Sequence, residues 1–497
     1  MSTRIYSIFS IAFLFPFLGG CLNEESNEPD PTVEVPATNT APTISGTPLS
    51  VIGVSESYAF TPLASDADGD TLTFSITNRP AWATFNDASG ELSGITVAAS
   101  DWTDIQISVS DGTATASLQP FSIRVVEGNI ELATSPPLLN QWEQNAVTYG
   151  QVWGAALDPS SGNTASQRLD HQYYDAQWVF QQIGEYVGQA EPWASYASYA
   201  ERVYRDEHLA PNFNVLGYAR FPHGLTNDHL NGGDTTLEQV RLMRDSGAFA
   251  TIPEFQRGNF YDGYCQSMSR EMAYLMHANI TAERAGIARI VDSGAPRVAH
   301  YLRWMEVHFY QWQQGDYRPG DSVCQNFRFA PFMAGLNLHA IMYFYDWEVA
   351  NGRDPNAFWD GQYWPSVEAM LVDFLTWMRR DARVVSGSLT GESMWIDSTD
   401  GATLRYQDRG TTQNTNPAWD LGNLIAPAYT WMALRGLESG MLSRAEAVDL
   451  ATAGDDLFEG TVNRAAIQIG GKWFNQSYRW SFDYVRWRAE LVALLAE

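Results

Sequence analysis

Several polar and aromatic segments in the C-terminal part of the chain carry side chains that could perform acid–base chemistry. They combine histidine, tyrosine, arginine, asparagine and aspartate within residues 170–175, 220–224, 257–264, 325–328, 416–420 and 472–480. Such a set can neutralise a carboxylate and move a proton. We therefore expect a catalytic site where these segments meet.

The first candidate chemistry is β-elimination at a uronate, a sugar that carries a carboxylate. Arginine or asparagine would neutralise the carboxylate, and tyrosine or histidine would remove the proton at C5. The candidate catalytic residues are His223, Tyr264, Arg328, Tyr478 and His171.

The second candidate chemistry is glycoside hydrolysis. It needs two carboxylates on either side of the scissile bond, separated by about 5 to 9.5 Å. Asp175 and Asp420 are the most suitable loop pair, with Glu271 in reserve. The sequence alone leaves both mechanisms open.

Other chemistries lack their residues. The sequence has no H-E-x-x-H motif, no Cys/His cluster, no G-x-S-x-G elbow and no phosphate loop, which disfavours zinc, serine-nucleophile and nucleotide sites. The helix-borne histidines, His277, His300, His308 and His339, fit buried structural positions. Cys265 and Cys324 are either a disulfide, which an exported domain favours, or two buried thiols.

Near the N-terminus, four aspartates could provide oxygen ligands for calcium. Asp66, Asp68 and Asp70 lie within five residues, and Asp111 follows a later strand pattern. Hard cations prefer carboxylate oxygens, but Asp and Gly also suit an ordinary solvated turn. Calcium and turn remain open, while an EF-hand is excluded because no loop-ending glutamate follows.

The elements that must position the candidate catalytic residues are helices. From about residue 135 to 497, apolar residues recur at helical spacing, as in the patterns over 167–187 and 296–314. No comparable strand series separates them, so we predict an all-helical domain, an α/α toroid, with an irregular solenoid as the alternative. The stretches F221-P-H-G-L-T-N-D-H and S269-R-E-M-A-Y loosely resemble polysaccharide-active α/α-toroid enzymes, which implies a carbohydrate substrate.

Residues 41–128 follow a different pattern, with short runs of period-2 alternation between turn residues. The stretches D66-A-D-G-D-T-L-T-F-S-I, R79-P-A-W-A-T-F and V109-S-D-G-T-A resemble the putative-Ig family related to cadherin-like modules. The resemblance implies an Ig-like β-sandwich that acts as a spacer or adhesion module without catalytic residues.

The first residues are typical of an export signal. Residues 1–20 contain Arg4 and an apolar run of about 14 residues, too short for a membrane span. The ending L-G-G-C resembles a bacterial lipobox, which implies lipidation of Cys21. Residues 21–40 are polar and proline-rich and predict a disordered tether. Leu22 is not the aspartate of an inner-membrane retention signal, so we expect the outer membrane, facing the exterior.

The overall charge limits the partners. A formal net charge of −28 at pH 7 disfavours nucleic acid, because phosphate binding depends on clusters of Lys and Arg.

Taken together, these patterns predict a lipid-anchored surface protein whose helical domain degrades an extracellular polysaccharide, most simply as a lyase. The alternatives are a glycoside hydrolase and a non-catalytic glycan-binding or adhesion protein. No cofactor is evident in the helical domain.

Overall fold

The computed structural model describes residues 39–46, 48, 51–126, 132–209, 222–245, 269–292, 294–314, 328–359, 361–384, 388–408, 415–464 and 466–496. The predictions for Cys21, Tyr264, Cys265 and Cys324 lie outside these residues, as do the leader and most of the tether. For Glu271 and Arg328 the described part is the backbone alone.

The described strands of the N-terminal region form a β-sandwich. One sheet has the order β2-β10-β8-β5 with β9 on β8, a second has the order β3-β7-β6, and β1 pairs with β4. The strands are β1 Thr43–Ser45, β2 Val51–Gly53, β3 Ser57–Phe60, β4 Leu63–Ser65, β5 Thr73–Thr77, β6 Ala83–Phe85, β7 Leu92–Ile95, β8 Ser100–Ser110, β9 Thr115–Ser117 and β10 Phe121–Val126.

Alternation along the strands builds the core of the sandwich. In β8, Ile105, Ile107 and Val109 are fully buried, and they pack in one cluster with Tyr58 and Leu92 of the other sheet. Successive side chains of a strand point to opposite faces, so every second residue reaches the core. The β-sandwich expected from the sequence is confirmed.

The C-terminal region is helical. Its helices are α1 Leu139–Ala156, α2 Ala165–Gln172, α3 Ala176–Val187, α4 Trp193–Arg202, α5 His223–Leu230, α6 Leu237–Asp245, α7 Ser269–Arg284, α8 Arg297–Gln313, α9 Pro331–Ala350, α10 Val367–Arg380, α11 Gly422–Glu438, α12 Arg444–Arg464 and α13 Gly471–Ala496. A π-helical segment, Val203–Leu209, extends α4, and short strand pairs lie between later helices, including the hairpin Trp395–Ser398 and Gly401–Leu404.

Within the described residues, the odd-numbered helices from α3 to α13 form a closed ring. Each contacts the next in the order α3, α5, α7, α9, α11 and α13, and α13 returns to α3. The other helices pack outside this ring: α4 on α3, α8 on α7, and α12 on α11. This is the predicted α/α toroid. No described helix is both long and apolar enough to cross a membrane.

Burial shows how closely α9 and α11 are enclosed in the ring. Helices α9 and α11 have buried residues around nearly their whole circumference. A helix that is apolar on all sides must lie between other elements, whereas the amphipathic α3 and α10 bury one face.

The prediction of one continuous helix over 167–187 is wrong. The chain breaks after α2, and Tyr174 and Asp175 both adopt left-handed backbone angles, with φ of 66°. Such angles are unfavourable for residues other than glycine. Here the Asp175 side chain offsets part of that cost because it caps α3, accepting a hydrogen bond from the Trp178 N–H. The break directs Asp175 toward the middle of the ring.

Candidate active site

A cavity of about 340 Å³ lies inside the helical ring. Its lining comes from α3, α5, α7, α9 and α13 and consists mainly of polar and aromatic side chains: Trp178, His223, Arg284, His339, Tyr343, Asp346, Trp347, Arg479, Asp483, Arg486 and Trp487. Convergent polar groups in a pocket enclosed by ring helices are the usual setting of a ligand site.

His223 is the first residue of α5 and is 4% exposed. The Arg479 guanidinium lies 2.6 Å from its Nδ1. A guanidinium can only donate, so Nδ1 must be the acceptor and the hydrogen of the neutral ring must be on Nε2. Burial and the nearby Arg479 charge hold the pKa of His223 well below its usual value. The ring is therefore a neutral imidazole.

Asp175 holds this pair in place from behind the cavity. It is 0% exposed, accepts a hydrogen bond from the Gly224 N–H at 3.1 Å, and lies 4.0 Å from Arg479. A Cβ at Gly224 would stand 2.6 Å from the Asp175 carboxylate, so this approach requires glycine. Burial raises the pKa of Asp175 to about 6, although the Arg479 charge opposes that shift.

One turn after Arg479 on α13, Asp483 meets His339 of α9. His339 Nε2 lies 3.2 Å from the Asp483 carboxylate, which also receives Arg486 at 2.9 Å. Burial lowers the pKa of His339, while the Asp483 charge partly opposes that shift. Burial alone would raise the pKa of Asp483, but the hydrogen bond from His339 and the charge of Arg486 outweigh it and lower that pKa.

Tyr343 and Arg284 form a third polar pair. The Arg284 guanidinium donates to the Tyr343 hydroxyl and also lies over its ring, 5.6 Å from the centroid. Burial raises the pKa of Tyr343, so this hydroxyl keeps its proton at neutral pH. Because the Tyr343 oxygen accepts a hydrogen bond from Arg284, the hydroxyl hydrogen remains available for donation to another group.

Positive charge is available in the cavity. The two lining carboxylates are already engaged, Asp346 by Arg435 at 3.3 Å and Asp483 by His339 and Arg486. Among the described residues, Arg284 has no carboxylate within ion-pair distance. The site can therefore attract an anion despite the acidity of the whole chain.

Of the sequence-predicted catalytic residues, the structure brings His223 to the cavity and Asp175 directly behind it. Tyr478 lies elsewhere: it is 1% exposed, and its hydroxyl donates to the Trp142 carbonyl at 2.8 Å. The half-buried His171 accepts from the Gly471 N–H at 3.3 Å, between α2 and α13. Neither lines the cavity, so neither is brought together with His223.

Asp420, proposed as the partner of Asp175, precedes α11 and contacts the Gln476 amide at 3.4 Å. Burial raises its pKa. It does not line the cavity. Of the remaining candidates, Tyr264 lies outside the described residues, and Glu271 and Arg328 are described by their backbone alone.

The sequence patterns did not identify the cavity residues that lie within helices. His339 was expected to be a structural histidine, and Arg284, Tyr343, Arg479 and Asp483 were not singled out. A signal did exist, because His339 and Tyr343, and likewise Arg479 and Asp483, are four residues apart and therefore share a helix face.

The acidic cluster of the sandwich lies in one loop. Ligating oxygens of Asp66, Asp68 and Asp70 fall within 4.8 Å of one another. Asp66 Oδ1 accepts from the backbone N–H groups of Asp68 and Asp70 at 2.9 and 3.1 Å, which is the pattern of an Asx turn. Asp111 stands outside this cluster and binds the Asn39 amide at 2.9 Å.

Comparison with known proteins identifies the N-terminal region. The family model described as Putative Ig domain matches residues 36–126. No curated protein matches the chain.

Solved structures give partial likenesses. One is a "putative alpha-galactosidase" from Bacteroides fragilis, with 17% identity over 23% of this chain and 26% of that chain, and a TM-score of 0.16. Another is human protocadherin-24 EC1-2, with 20% identity over 18% of this chain and 45% of that chain, and a TM-score of 0.14. The chain spans about a quarter of the former and less than half of the latter. The family match over residues 36–126 and the sandwich formed by the described strands agree that the N-terminal region is an Ig-like domain, which is followed by the helical toroid.

Proposed function

We propose that the helical domain is a carbohydrate-active enzyme that cleaves a uronate-containing polysaccharide by β-elimination in the central cavity. One observation carries the proposal: the cavity combines a neutral histidine, a protonated tyrosine and arginines, including one without a carboxylate partner among the described residues. These groups match the requirements of elimination beside a carboxylate.

The chemistry divides among these side chains. Arg284 and Arg479 neutralise the sugar carboxylate, which makes the adjacent C5 proton more acidic. His223 takes that proton through a ring nitrogen, and the C4–O bond breaks as the C4=C5 double bond forms. The Tyr343 hydroxyl gives its proton to the leaving oxygen. The raised pKa of Tyr343 keeps its hydroxyl protonated and the low pKa of His223 keeps its ring unprotonated, so both groups start in the forms that the reaction needs.

Two alternatives lead to different products. A hydrolase would use Asp175 and Asp420, but Asp175 is fully buried and its oxygens already accept the N–H groups of Gly224 and Trp178. A binding protein would use the same cavity without turnover. We favour elimination because the histidine and tyrosine line the cavity directly, whereas these two aspartates do not.

The test is incubation of the protein with uronate-containing and neutral glycans while absorbance near 235 nm and reducing ends are followed together. Elimination should give both signals in equal amounts, because each cleavage leaves a conjugated unsaturated uronate. Reducing ends alone would identify a hydrolase. A glycan that is retarded on an affinity gel but never cleaved would identify a binding protein, and either outcome would contradict the proposal.

We further propose that the protein is a lipoprotein tethered through Cys21 to the outer membrane, where it meets extracellular polysaccharide. Acyl chains on this cysteine would contribute about 0.8 kcal/mol for each buried methylene. The variant Cys21→Ser should leave the membrane fraction and become soluble on cell fractionation. A Ser26→Ala variant, which changes the tether and leaves the cysteine in place, is the control. Unchanged membrane partition of Cys21→Ser would contradict the anchor.

For the sandwich we propose weak calcium binding through Asp66, Asp68 and Asp70, with a dissociation constant in the millimolar to high-micromolar range. Three carboxylates this close repel one another unless a cation separates them. With a dissociation constant of about 1 mM, about 10 mM calcium should stabilise the sandwich by about 1.4 kcal/mol. Calorimetry should detect a higher melting temperature. An equal shift in a triple Asp→Asn variant, or no shift in the wild-type protein, would show that these aspartates form an ordinary turn and do not bind calcium.

A further inference from the structure

Three histidines from three ring helices form a continuous row beside the cavity. His277 of α7 stands between His223 and His339, with ring centroids 5.0 Å from the first and 5.3 Å from the second. Imidazoles joined edge to edge by a hydrogen bond have centroids about 5 Å apart, given a nitrogen separation of about 3 Å. All three are nearly or completely buried.

The inner nitrogens of this row lack partners among the described residues. They are Nε2 of His223, both ring nitrogens of His277, and Nδ1 of His339. Buried polar atoms are nearly always hydrogen-bonded, and an exception calls for an explanation. These nitrogens lie in two gaps, one on each side of His277. Ring rotations, or one bridging water in each gap, would give all of them hydrogen-bond partners.

The outer contacts give the row a direction. At one end, Arg479 donates to His223 Nδ1, which places the His223 hydrogen on Nε2, facing inward. At the other end, the Asp483 carboxylate accepts from His339 Nε2, which leaves Nδ1 of His339 as an inward-facing acceptor. His277 can therefore accept from His223 and donate to His339 at the same time.

A metal ion is a poor explanation for this cluster. Among the described residues, the ligand atoms that converge closely enough for one ion are those of Asp66, Asp68 and Asp70 in the sandwich, not those of the histidines. The Arg479 guanidinium, in contact with His223, would also repel a cation.

We infer that the row His223–His277–His339 conducts the proton removed from the substrate to a resting position beside Asp483. The inference rests on the proposed elimination. His223 Nδ1 takes the substrate proton after Arg479 turns to the sugar carboxylate, and His223 Nε2 releases its own proton to His277. His277 releases its other hydrogen to Nδ1 of His339. One N–H bond forms and one breaks at each of the first two rings, and His339 ends as an imidazolium.

Electrostatics favours this direction of transfer. A proton on His223 lies beside the Arg479 cation, whereas a proton on His339 lies beside the Asp483 anion, 3.2 Å away. The positive charge therefore moves from a repulsive to an attractive neighbour. His223 becomes a neutral ring again, now with its hydrogen on Nδ1, and the row must return its protons in the reverse sense before the next turnover. In this scheme His277, His339 and Asp483 are positioning and relay residues that need not touch the sugar.

The first test is independent of any substrate. With ¹⁵N-labelled histidine, long-range ¹H–¹⁵N spectra of the folded protein should show His223 and His339 as neutral rings that carry hydrogen on Nε2. The variants His223→Gln and His339→Gln assign the signals. A hydrogen on Nδ1 of either ring, or a transition metal found in the purified protein by elemental analysis, would overturn the row.

The second test uses turnover. His277→Phe keeps a flat ring but breaks the row, and should lower kcat about 10²-fold with KM unchanged and alter the solvent isotope effect. His308→Phe is the matched control because His308 is also fully buried with both nitrogens unpartnered among the described residues, but lies on α8 away from the cavity. Its kinetics should stay at wild-type values.

The possible outcomes separate the two ideas. Wild-type kcat in a folded His277→Phe variant would overturn the relay and leave elimination standing. Absence of turnover in the wild-type protein on every uronate glycan would contradict the proposed function and with it the relay. The histidine spectra would then still report whether the polarised row exists.

Discussion

Replacing His223 by alanine is expected to lower the elimination rate about 10²-fold or more, the usual scale for the loss of a general base. The variant removes the imidazole ring that lines the cavity. Its Nδ1 faces Arg479, and burial lowers its pKa, so the ring is neutral. Tyr343→Phe removes the hydroxyl that protonates the leaving oxygen and is expected to cost a similar factor. Initial rates at 235 nm, taken at saturating glycan, measure both effects.

His171→Ala is the control for that experiment. His171 is the other loop histidine favoured by the sequence, but it packs against Trp153, 5.1 Å between ring centroids, and lies outside the cavity. We expect nearly wild-type turnover from this variant. If His171→Ala lost activity and His223→Ala retained it, the catalytic site would lie at the α2–α13 contact and not in the central cavity.

The second large effect expected is loss of stability in mild acid. Burial lowers the pKa values of His223, His277, His308 and His339, that of His308 to about 4. Their neutral forms are favoured in the folded state, so their stabilising contribution is present above the unfolded pKa of about 6.5 and is lost as pH falls toward the folded values. Stability should therefore decrease from pH 6.5 downward.

The change is appreciable relative to ordinary folding stability. At pH 5.5, His308, whose pKa of about 4 keeps it neutral when folded, loses about 1.4 kcal/mol of a total that is typically about 5 to 15 kcal/mol, and the other three histidines act in the same direction. Buried carboxyl groups act in the opposite sense, because burial raises the pKa of Asp175 and of Asp456 to about 6 and their contribution is therefore lost as pH rises through that value. We expect the four buried histidines to outweigh these carboxyl groups, so the net result is a loss of stability in mild acid.

Urea unfolding at pH 7.5 and pH 5.5 tests this expectation. The variant His308→Phe removes one buried histidine outside the cavity and should reduce the stability difference between the two pH values by about 1.4 kcal/mol. Equal stability of the wild-type protein at the two pH values, or an unchanged difference in His308→Phe, would contradict the account of these histidines.

The fold was largely predictable because local patterns determine it. In β8, every second side chain is apolar, and Ile105, Ile107 and Val109 indeed form the core. Helical spacing and the lack of intervening strand patterns gave the toroid. The break between α2 and α3 was not predictable in this way, because it depends on left-handed angles at Tyr174 and Asp175 that the buried contact with Gly224 helps to stabilise.

The site was predictable only in part. His223 was identified because it stands in a polar loop sequence, whereas Arg479 lies 256 residues away and is recognisable as its partner only after the ring closes. His339 has the sequence environment of a structural core residue. The carboxylate of Asp483 that distinguishes it comes from another helix, 144 residues further along the chain. These contacts form only when the ring closes, between residues that are far apart in the sequence, so no local sequence pattern predicts them.

The most direct test of the central claim is a crystal structure of the His223→Ala variant with a uronate oligosaccharide bound. The account predicts that the oligosaccharide occupies the ring cavity, with one sugar carboxylate within about 4 Å of the Arg284 or Arg479 guanidinium, the distance at which opposite charges pair. The C5 hydrogen of that sugar should face the space vacated by the imidazole. An oligosaccharide bound on the sandwich, or at Asp420 with the cavity empty, would contradict it.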